Sequence, residues 1–353
     1  MSCDIHALAN VANLPRIYGD VLAQGRLRSE PSDFIVEELP SVVPDGEGEH
    51  LWLKIRKTSL NTADVVQRLS AWSGVSQRDI GFAGLKDRNA VTTQWFSVQL
   101  PGQQDPNHES IVGEQLEVLE TARHRQKLRR GVLLGNRFTL TVHEFSANPD
   151  NVQKRLESIA KHGVPNYFGE QRFGRGGRNI DQAIRWLVDG GRPPKRSQKG
   201  MLLSAARSGI FNALLAERIA KSGVGSGSWA EPCASDKVML GLRGNASFDA
   251  SDEEPARLLE RVNSGDVFTA LPLAGRFGAR GVSSEYADKL CRLIHGELVD
   301  GLAKAGVDGA WRRVHLPVNN FSYQYDGNAL IVNFDLPAGS YATSVLREIC
   351  ASS

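Results

Sequence analysis

Residues 81–95 read Gly81-Phe-Ala-Gly84-Leu85-Lys86-Asp87-Arg88-Asn89-Ala90-Val91-Thr92-Thr93-Gln94-Trp95, which sets one acidic side chain between two cations in a glycine-containing turn that leads into a strand. Glycine supplies backbone angles closed to other residues, and the charges of such a turn ordinarily face water. A carboxylate kept ionised in the same place can act as a nucleophile. Short motifs match by chance, so this window alone does not choose between a solvated turn and a catalytic Asp87. The rest of the chain has to.

At 353 residues, with 41% hydrophobic and 23% charged side chains, the chain is long enough for about two domains and a sizeable core. No run approaches the ~18 apolar residues of a membrane span, and the start Met1-Ser-Cys3-Asp-Ile-His6 lacks a charged segment followed by an apolar one. The expectation is a cytoplasmic protein with no membrane partner. Cys3, Cys233, Cys291 and Cys350 lie far apart, which suggests reduced thiols rather than a disulfide framework or a zinc knuckle, and the dispersed histidines give no support to a metal site. A net charge of +2 does not mark a nucleic-acid binder by its total. Its distribution matters more. Arg123, Arg125, Lys127, Arg129 and Arg130 fall within eight residues that contain no acid, and Arg172, Arg175 and Arg178 form a second basic cluster behind a Tyr-Phe pair. Such patches attract phosphates, and they equally describe solvated faces.

Working outward, Leu51, Leu53 and Ile55 alternate with Trp52, Lys54 and Arg56, and Phe138, Leu140 and Val142 alternate with Arg137, Thr139 and Thr141. Period two predicts half-buried strands. Between them Thr62 is placed to cap a helix whose Val65, Val66, Leu69 and Trp72 share a face and which stops at Gly74, while residues 94–100 read as the strand after the Asp87 turn. From about residue 150 the pattern turns helical, at 152–159, 180–188, 201–221, 254–263 and 284–305, with exposed connections at 222–228 and 252–254. Strand character returns near Pro317, so residues 318–353 are expected to rejoin the first domain around an insertion.

Five segments, taken together, resemble the TruD family of tRNA pseudouridine synthases: residues 31–38 (Pro31-Ser-Asp33-Phe34-Ile-Val-Glu-Glu38), 81–94, 123–138, 163–174 and 336–348. They keep the family's order and span nearly the whole chain. The resemblance implies an enzyme that isomerises uridine to pseudouridine in tRNA, at position 13, with no cofactor or metal and no obligate protein partner. It places Asp87 on the catalytic aspartate, which either attacks the ribose C1′ or deprotonates C2′. Both routes need an ionised carboxylate, and neighbouring cations favour that form. It also makes Phe34, Asn136 and Tyr341 substrate contacts and Phe138 the aromatic that stacks on the target base. By strand pattern alone Phe138 reads as core, and the resemblance reverses that preference. Extruding a stacked uridine costs a few kcal/mol, and aromatic stacking returns ~1–3 kcal/mol per base. The basic run and Arg172 become contacts to the RNA backbone.

Two positions depart from the family pattern. Arg28 stands where the family often has lysine, and a planar guanidinium is not geometrically equivalent to an ammonium. Tyr341 replaces a common phenylalanine, adding a hydroxyl that needs a partner if buried. The expected architecture is α+β: a pseudouridine synthase-like catalytic domain with a mixed sheet and flanking helices (1–160 and 318–353) and an inserted helix-rich, TruD-specific domain (161–317). A non-catalytic RNA-binding or RNA-folding protein is the alternative, and intact Asp87, Asn136 and Phe138 argue against it. A hydrolase using Asp87 as general base is less favoured, since no second carboxylate or metal set is evident.

Overall fold

A computed structural model describes residues 5–223, 227–278 and 282–352, so Cys3 and residues 224–226 of the Gly/Ser-rich run lie outside the described residues. In chain order, strands β1 (Ala23–Leu27), β2 (Phe34–Pro40) and β3 (His50–Thr58), helix α1 (Thr62–Ser73), and strands β4 (Ile80–Phe82), β5 (Val91–Gln99), β6 (Leu116–His124) and β7 (Leu133–His143) come first. There follow α2 (Pro149–His162), β8 (Val164–Pro165), α3 (Arg178–Leu187), α4 (Arg196–Ser222), β9 (Lys237–Leu240), β10 (Ser247–Asp249), α5 (Pro255–Asn263), β11 (Val267–Leu273), α6 (Val282–Lys304), β12 (Ala310–Arg313) and β13 (His315–Leu316). The chain ends through β14 (Asn319–Asp326), β15 (Ala329–Pro337), α7 (Ala342–Leu346) and β16 (Cys350–Ser352). It divides into two compact units: Leu22–Val152 with Val318–Gly339 and Cys350–Ser353, and Met1–Val21 with Gln153–Pro317 and Ser340–Ile349.

The unit that begins at Leu22 is built on a ten-stranded sheet ordered β14-β15-β7-β2-β5-β3-β6, with β4 on β5 and β1 against β7 and β16. The sheet is mixed, because β2 runs parallel to β5 and β1 parallel to β16 while the other neighbours are antiparallel. On one face Leu51, Leu53 and Ile55 of β3 and Phe96 and Val98 of β5 pack against Val65, Val66 and Leu69 of α1. The alternate face of β3 is not simply exposed, as period two had suggested: Trp52 is buried with Trp95, Ala83 and Leu128. Only Lys54 and Arg56 keep the polar role, opposite Glu120 and Glu117 of β6.

Helix α1 ends at Gly74 in the left-handed region (φ 72), as its sequence predicts. Its N-cap, however, is Asn61 rather than Thr62: Asn61 and Asp64 form a reciprocal capping box, with Asn61 N donating to Asp64 Oδ2 at 2.8 Å. Thr62 is the first helical residue, and its hydroxyl serves the loop described below.

In the other unit α4 supplies much of the core, from Leu202, Ala205, Ile210, Phe211 and Leu215, packed with Ile180 and Ile184 of α3 and Leu298 and Leu302 of α6. A four-stranded antiparallel sheet, β10-β9-β11-β12, accompanies these helices, so the helix-rich reading of this region was incomplete. β11 is a short run that is apolar apart from Thr269, and such a run does not distinguish strand from buried helix by periodicity. The helix expected at 284–305 is interrupted at His295 (φ −162°, ψ 91°), whose Nδ1 accepts from Leu298 N at 3.2 Å and so restarts the helix. Among the described residues no helix is long and apolar enough to cross a membrane.

If Asn61 is the cap, Asn61→Ala should lower unfolding free energy by about 1 kcal/mol in urea titrations while the rate per folded molecule is kept. An effect on rate with no effect on stability would return the capping role to Thr62.

Candidate active site

Asp87 lies in the loop between β4 and β5. Gly81 and Gly84 were expected to supply unusual backbone angles, yet neither has φ in the left-handed region. Gly81 is required for a different reason. A Cβ there would stand 2.3 Å from the Leu128 carbonyl oxygen and 2.5 Å from Ser97 Oγ, so glycine lets the basic segment lie directly on the loop's entrance.

Buried side chains hold the loop's main chain at Gly84, Lys86 and Asp87. Gln94 Nε2 donates to Gly84 O at 3.0 Å, and Lys86 N donates to Thr62 Oγ1 at 3.0 Å. The Thr62 hydroxyl in turn donates to Gln94 Oε1 at 3.1 Å. Lys86 Nζ pairs with Glu38 Oε2 at 2.8 Å, both side chains being almost fully buried, and the other Glu38 oxygen accepts from Trp95 N. Lys57, 1% exposed, donates to Leu60 O at 2.6 Å and to Asp87 O at 2.9 Å. Burial pushes the Lys57 ammonium down to about 8, against the opposing attraction of Asp87 and Asp64 and with a further push from Lys86.

The Asp87 carboxylate is about one-third exposed (34%), and Arg28 Nη2 approaches its Oδ2 at 3.4 Å. Arg28 has φ 57, a left-handed angle uncommon for a side chain with a Cβ. From there its guanidinium lies 4.0 Å over the Phe34 ring while reaching Asp87. A planar cation stacks in this way where an ammonium would act as a point charge, so the substitution at position 28 keeps the charge and adds a stacked contact. Phe34 enters β2 from the short turn Pro31–Asp33. Burial alone would raise the Asp33 carboxyl, but hydrogen bonds from Glu30 N and His143 outweigh it and hold the group below its usual range.

Phe34 and Phe138 meet edge to face at 6.1 Å, Phe138 lies against Phe334 at 5.6 Å, and Phe334 stacks on Phe321 at 6.1 Å. Asn136 stands opposite Glu38 on β2 and Leu336 on β15, which places it on the sheet face of Phe138. Among the described residues its Oδ1 has no hydrogen-bond partner, although it is buried. An orphaned buried acceptor costs ~1–3 kcal/mol, and the N3–H of a uracil or a ribose hydroxyl is a donor of the kind it lacks.

The basic run is unequal in what it offers. Arg123 is tied to Asp105 at 2.5 Å and to the carbonyls of Leu100 and Gln103, and Arg125 pairs with Asp45 and Glu47. Lys127 donates to Arg78 O, and Arg130 lies 3.6 Å over the Phe82 ring. Arg129 is exposed.

In the other unit Tyr341 and Arg172 come together. Arg172 Nε donates to the Tyr341 hydroxyl at 3.0 Å and Nη1 to Ser204 Oγ at 2.8 Å, so the added hydroxyl of Tyr341 has its partner. Phe168 meets Tyr341 edge to face and carries Arg312 3.9 Å over its ring. Asn212 of α4 holds Phe168 through both backbone groups at 2.9 Å.

Of the residues expected from the sequence, Asp87, Arg28, Phe34, Phe138 and Asn136 lie in one unit, and Tyr341 and Arg172 lie in the other. Sequence reasoning missed Lys57, Glu38, Thr62, Gln94 and Phe334 as parts of the site. One signal was present: Lys57 continues the register of Leu51, Leu53 and Ile55, and a lysine in an apolar register needs a buried partner.

The fold is that of a solved protein described as a tRNA pseudouridine synthase D from Methanosarcina mazei, with a TM-score of 0.71 over 99% of this chain and 98% of that one at 23% identity. The family model described as tRNA pseudouridine synthase D (TruD) matches residues 18–190 and 193–349. Proteins called tRNA pseudouridine synthase D from Methylococcus capsulatus and Aeromonas hydrophila are each 40% identical, over 96% and 95% of this chain and 94% and 93% of their own lengths. The chain belongs to the tRNA pseudouridine synthase D (TruD) family.

Lys57→Met should lower kcat by about tenfold or more with KM for tRNA little changed, since displacing a reacting group by ~1 Å costs up to ~100-fold. A pH signature accompanies it. With the folded pKa depressed to about 8 from 10.5, the unfolded chain binds more protons between those values, so this group adds stability as pH rises through that window. The stability difference between wild type and Lys57→Met should therefore grow in favour of wild type from pH 8 to 10.5 in parallel denaturant titrations.

In the basic run, Arg129→Ala should flatten the log–log salt dependence of tRNA binding by about 0.7–0.9 of a unit. Arg123→Ala should change the slope less and stability more. Equal slopes for both variants and wild type would make the segment a solvated face.

Proposed function

We propose that this protein isomerises uridine 13 of tRNA to pseudouridine with Asp87 as its nucleophile. Family membership makes it a tRNA pseudouridine synthase. The choice of position 13 rests on the resemblance of its motifs, and the role of Asp87 rests on one observation above the others. Its carboxylate is about one-third exposed while the main chain at Gly84, Lys86 and Asp87 is pinned by buried groups. A reacting group held this way needs little reorganisation when the substrate arrives.

The reaction breaks the bond between uracil N1 and ribose C1′, turns the base, and joins C5 to C1′. The proton on C5 is lost and N1 gains one, so atoms balance without an external reactant. Asp87 serves either as the group that attacks C1′ or as the base that removes the C2′ proton, and in both cases it is restored when the C5–C1′ bond has formed. Arg28 offers its cation beside the carboxylate. Phe138, only 6% exposed, borders the site together with Phe34 and Phe334, and Asn136 Oδ1 accepts from the base or the ribose. In this reading residues 1–160 and 318–353 are the catalytic domain, residues 161–317 are the inserted family-specific domain, Tyr341 contacts substrate, and Arg172 positions Tyr341 as well as facing RNA.

Release of tritium from RNA labelled at uridine C5 tests the reading, since isomerisation frees that hydrogen and binding or hydrolysis does not. Asp87→Asn should abolish release and leave tRNA affinity near wild type, because the amide keeps the shape and loses the charge. Substantial turnover by purified Asp87→Asn would remove Asp87 from the mechanism, and pseudouridine at another tRNA position would remove the assignment to 13.

A further inference from the structure

Leu85 stands two residues before Asp87 and is 70% exposed. Scattered exposed leucines are ordinary and need no function. This one differs in how rigidly it is presented. On its N-terminal side the Gly84 carbonyl is held by Gln94. On its C-terminal side Lys86 is anchored twice, through its amide to Thr62 and its ammonium to Glu38, and Lys57 holds the Asp87 carbonyl. Leu85 cannot turn inward without drawing a buried ammonium away from its carboxylate. Lys86 turns inward while Leu85 stays exposed.

Two residues of chain span at most ~7 Å, and stacked bases are spaced ~3.4 Å along a strand. When Asp87 meets the ribose of an extruded uridine, Leu85 is therefore within reach of the vacated base position or its neighbour. Extrusion leaves a gap between apolar base faces, and apolar side chains are the groups that fill such gaps. The aromatic row cannot do this: Phe34 and Phe138 are buried. A charged residue in the gap would be desolvated without a partner.

We propose that Leu85 is the wedge that enters the base stack beside the target uridine and holds the gap open while Asp87 acts on the ribose. This rests on the reading of Asp87 given above. Leu85 is thus a substrate-contacting residue whose contribution depends on the RNA being stacked around its target.

The test compares wild type, Leu85→Ala, Leu85→Met and Asp87→Asn in single-turnover tritium release on two RNAs. One is the intact tRNA. The other is the same tRNA with abasic sites on both sides of the target uridine, which removes the stack to be opened. Because the side chain is exposed, melting temperatures of the Leu85 variants should match wild type. Leu85→Ala should lose about tenfold or more in rate on intact tRNA with affinity kept within about twofold, Leu85→Met should recover most of it, and on the abasic RNA wild type and both Leu85 variants should react alike. 2-Aminopurine placed next to the target should brighten on binding wild type and stay dim with Leu85→Ala. A wild-type rate for Leu85→Ala on intact tRNA, or an equal loss on both RNAs, overturns the wedge. Inactivity of wild type, or activity of Asp87→Asn, instead overturns the reading on which it rests.

Discussion

The ion pair between Lys86 and Glu38 is the constraint on which the geometry of the Asp87 loop depends. Both side chains are withdrawn from solvent, 5% and 2% exposed, and a buried pair of this kind contributes little net stability because desolvation offsets the attraction. What it confers is a single arrangement. With Lys86 turned inward the neighbouring Leu85 is exposed, and Thr62, Gln94 and Lys57 hold main-chain groups of the same loop. Breaking one partner would strand the other charge in the interior, which makes alternatives to this loop conformation costly.

The aromatic side of the site depends on contacts between distant parts of the chain. β7 pairs with β15 across nearly two hundred residues, and the register that opposes Phe138 to Phe334 also opposes Arg137 to Asp335, whose two hydrogen bonds at 2.8 and 3.0 Å lock it. The Arg137 side raises its own basicity through that pair, and the Asp335 carboxyl is held below its usual range despite burial. The first half of the chain therefore carries Asp87, Phe34 and Asn136 but lacks the strand that supports Phe138. Non-local pairings of this kind slow folding, because loop closure must precede the contacts that reward it.

Strand and helix positions were largely legible because apolar periodicity records which face is buried. β7 and α1 follow it closely, and the helices from residue 149 onward do so within a few residues. The failures have identifiable causes. Thr62 has the chemistry of a cap, but Asn61 precedes it and takes that place, which releases the threonine for Lys86 and Gln94. The helix near 284–305 breaks at a histidine able to cap its own continuation, and the sheet containing β11 hides in an apolar run without period.

What the sequence determined by itself was the identity of the chemical groups and their local setting: an aspartate between cations, aromatics and an asparagine on strand registers, and five ordered segments that mark the family. Only the tertiary structure decided which cations serve the site. Arg28, fifty-nine residues away, meets Asp87 while the adjacent Lys86 turns away to Glu38, and Arg123 and Arg125 are taken up by acids of other segments. Sequence neighbours share a backbone, whereas charge pairs are settled by burial and by which side chains the sheet brings within reach. That is why Lys57, unremarked in a strand pattern, holds the main chain at Asp87.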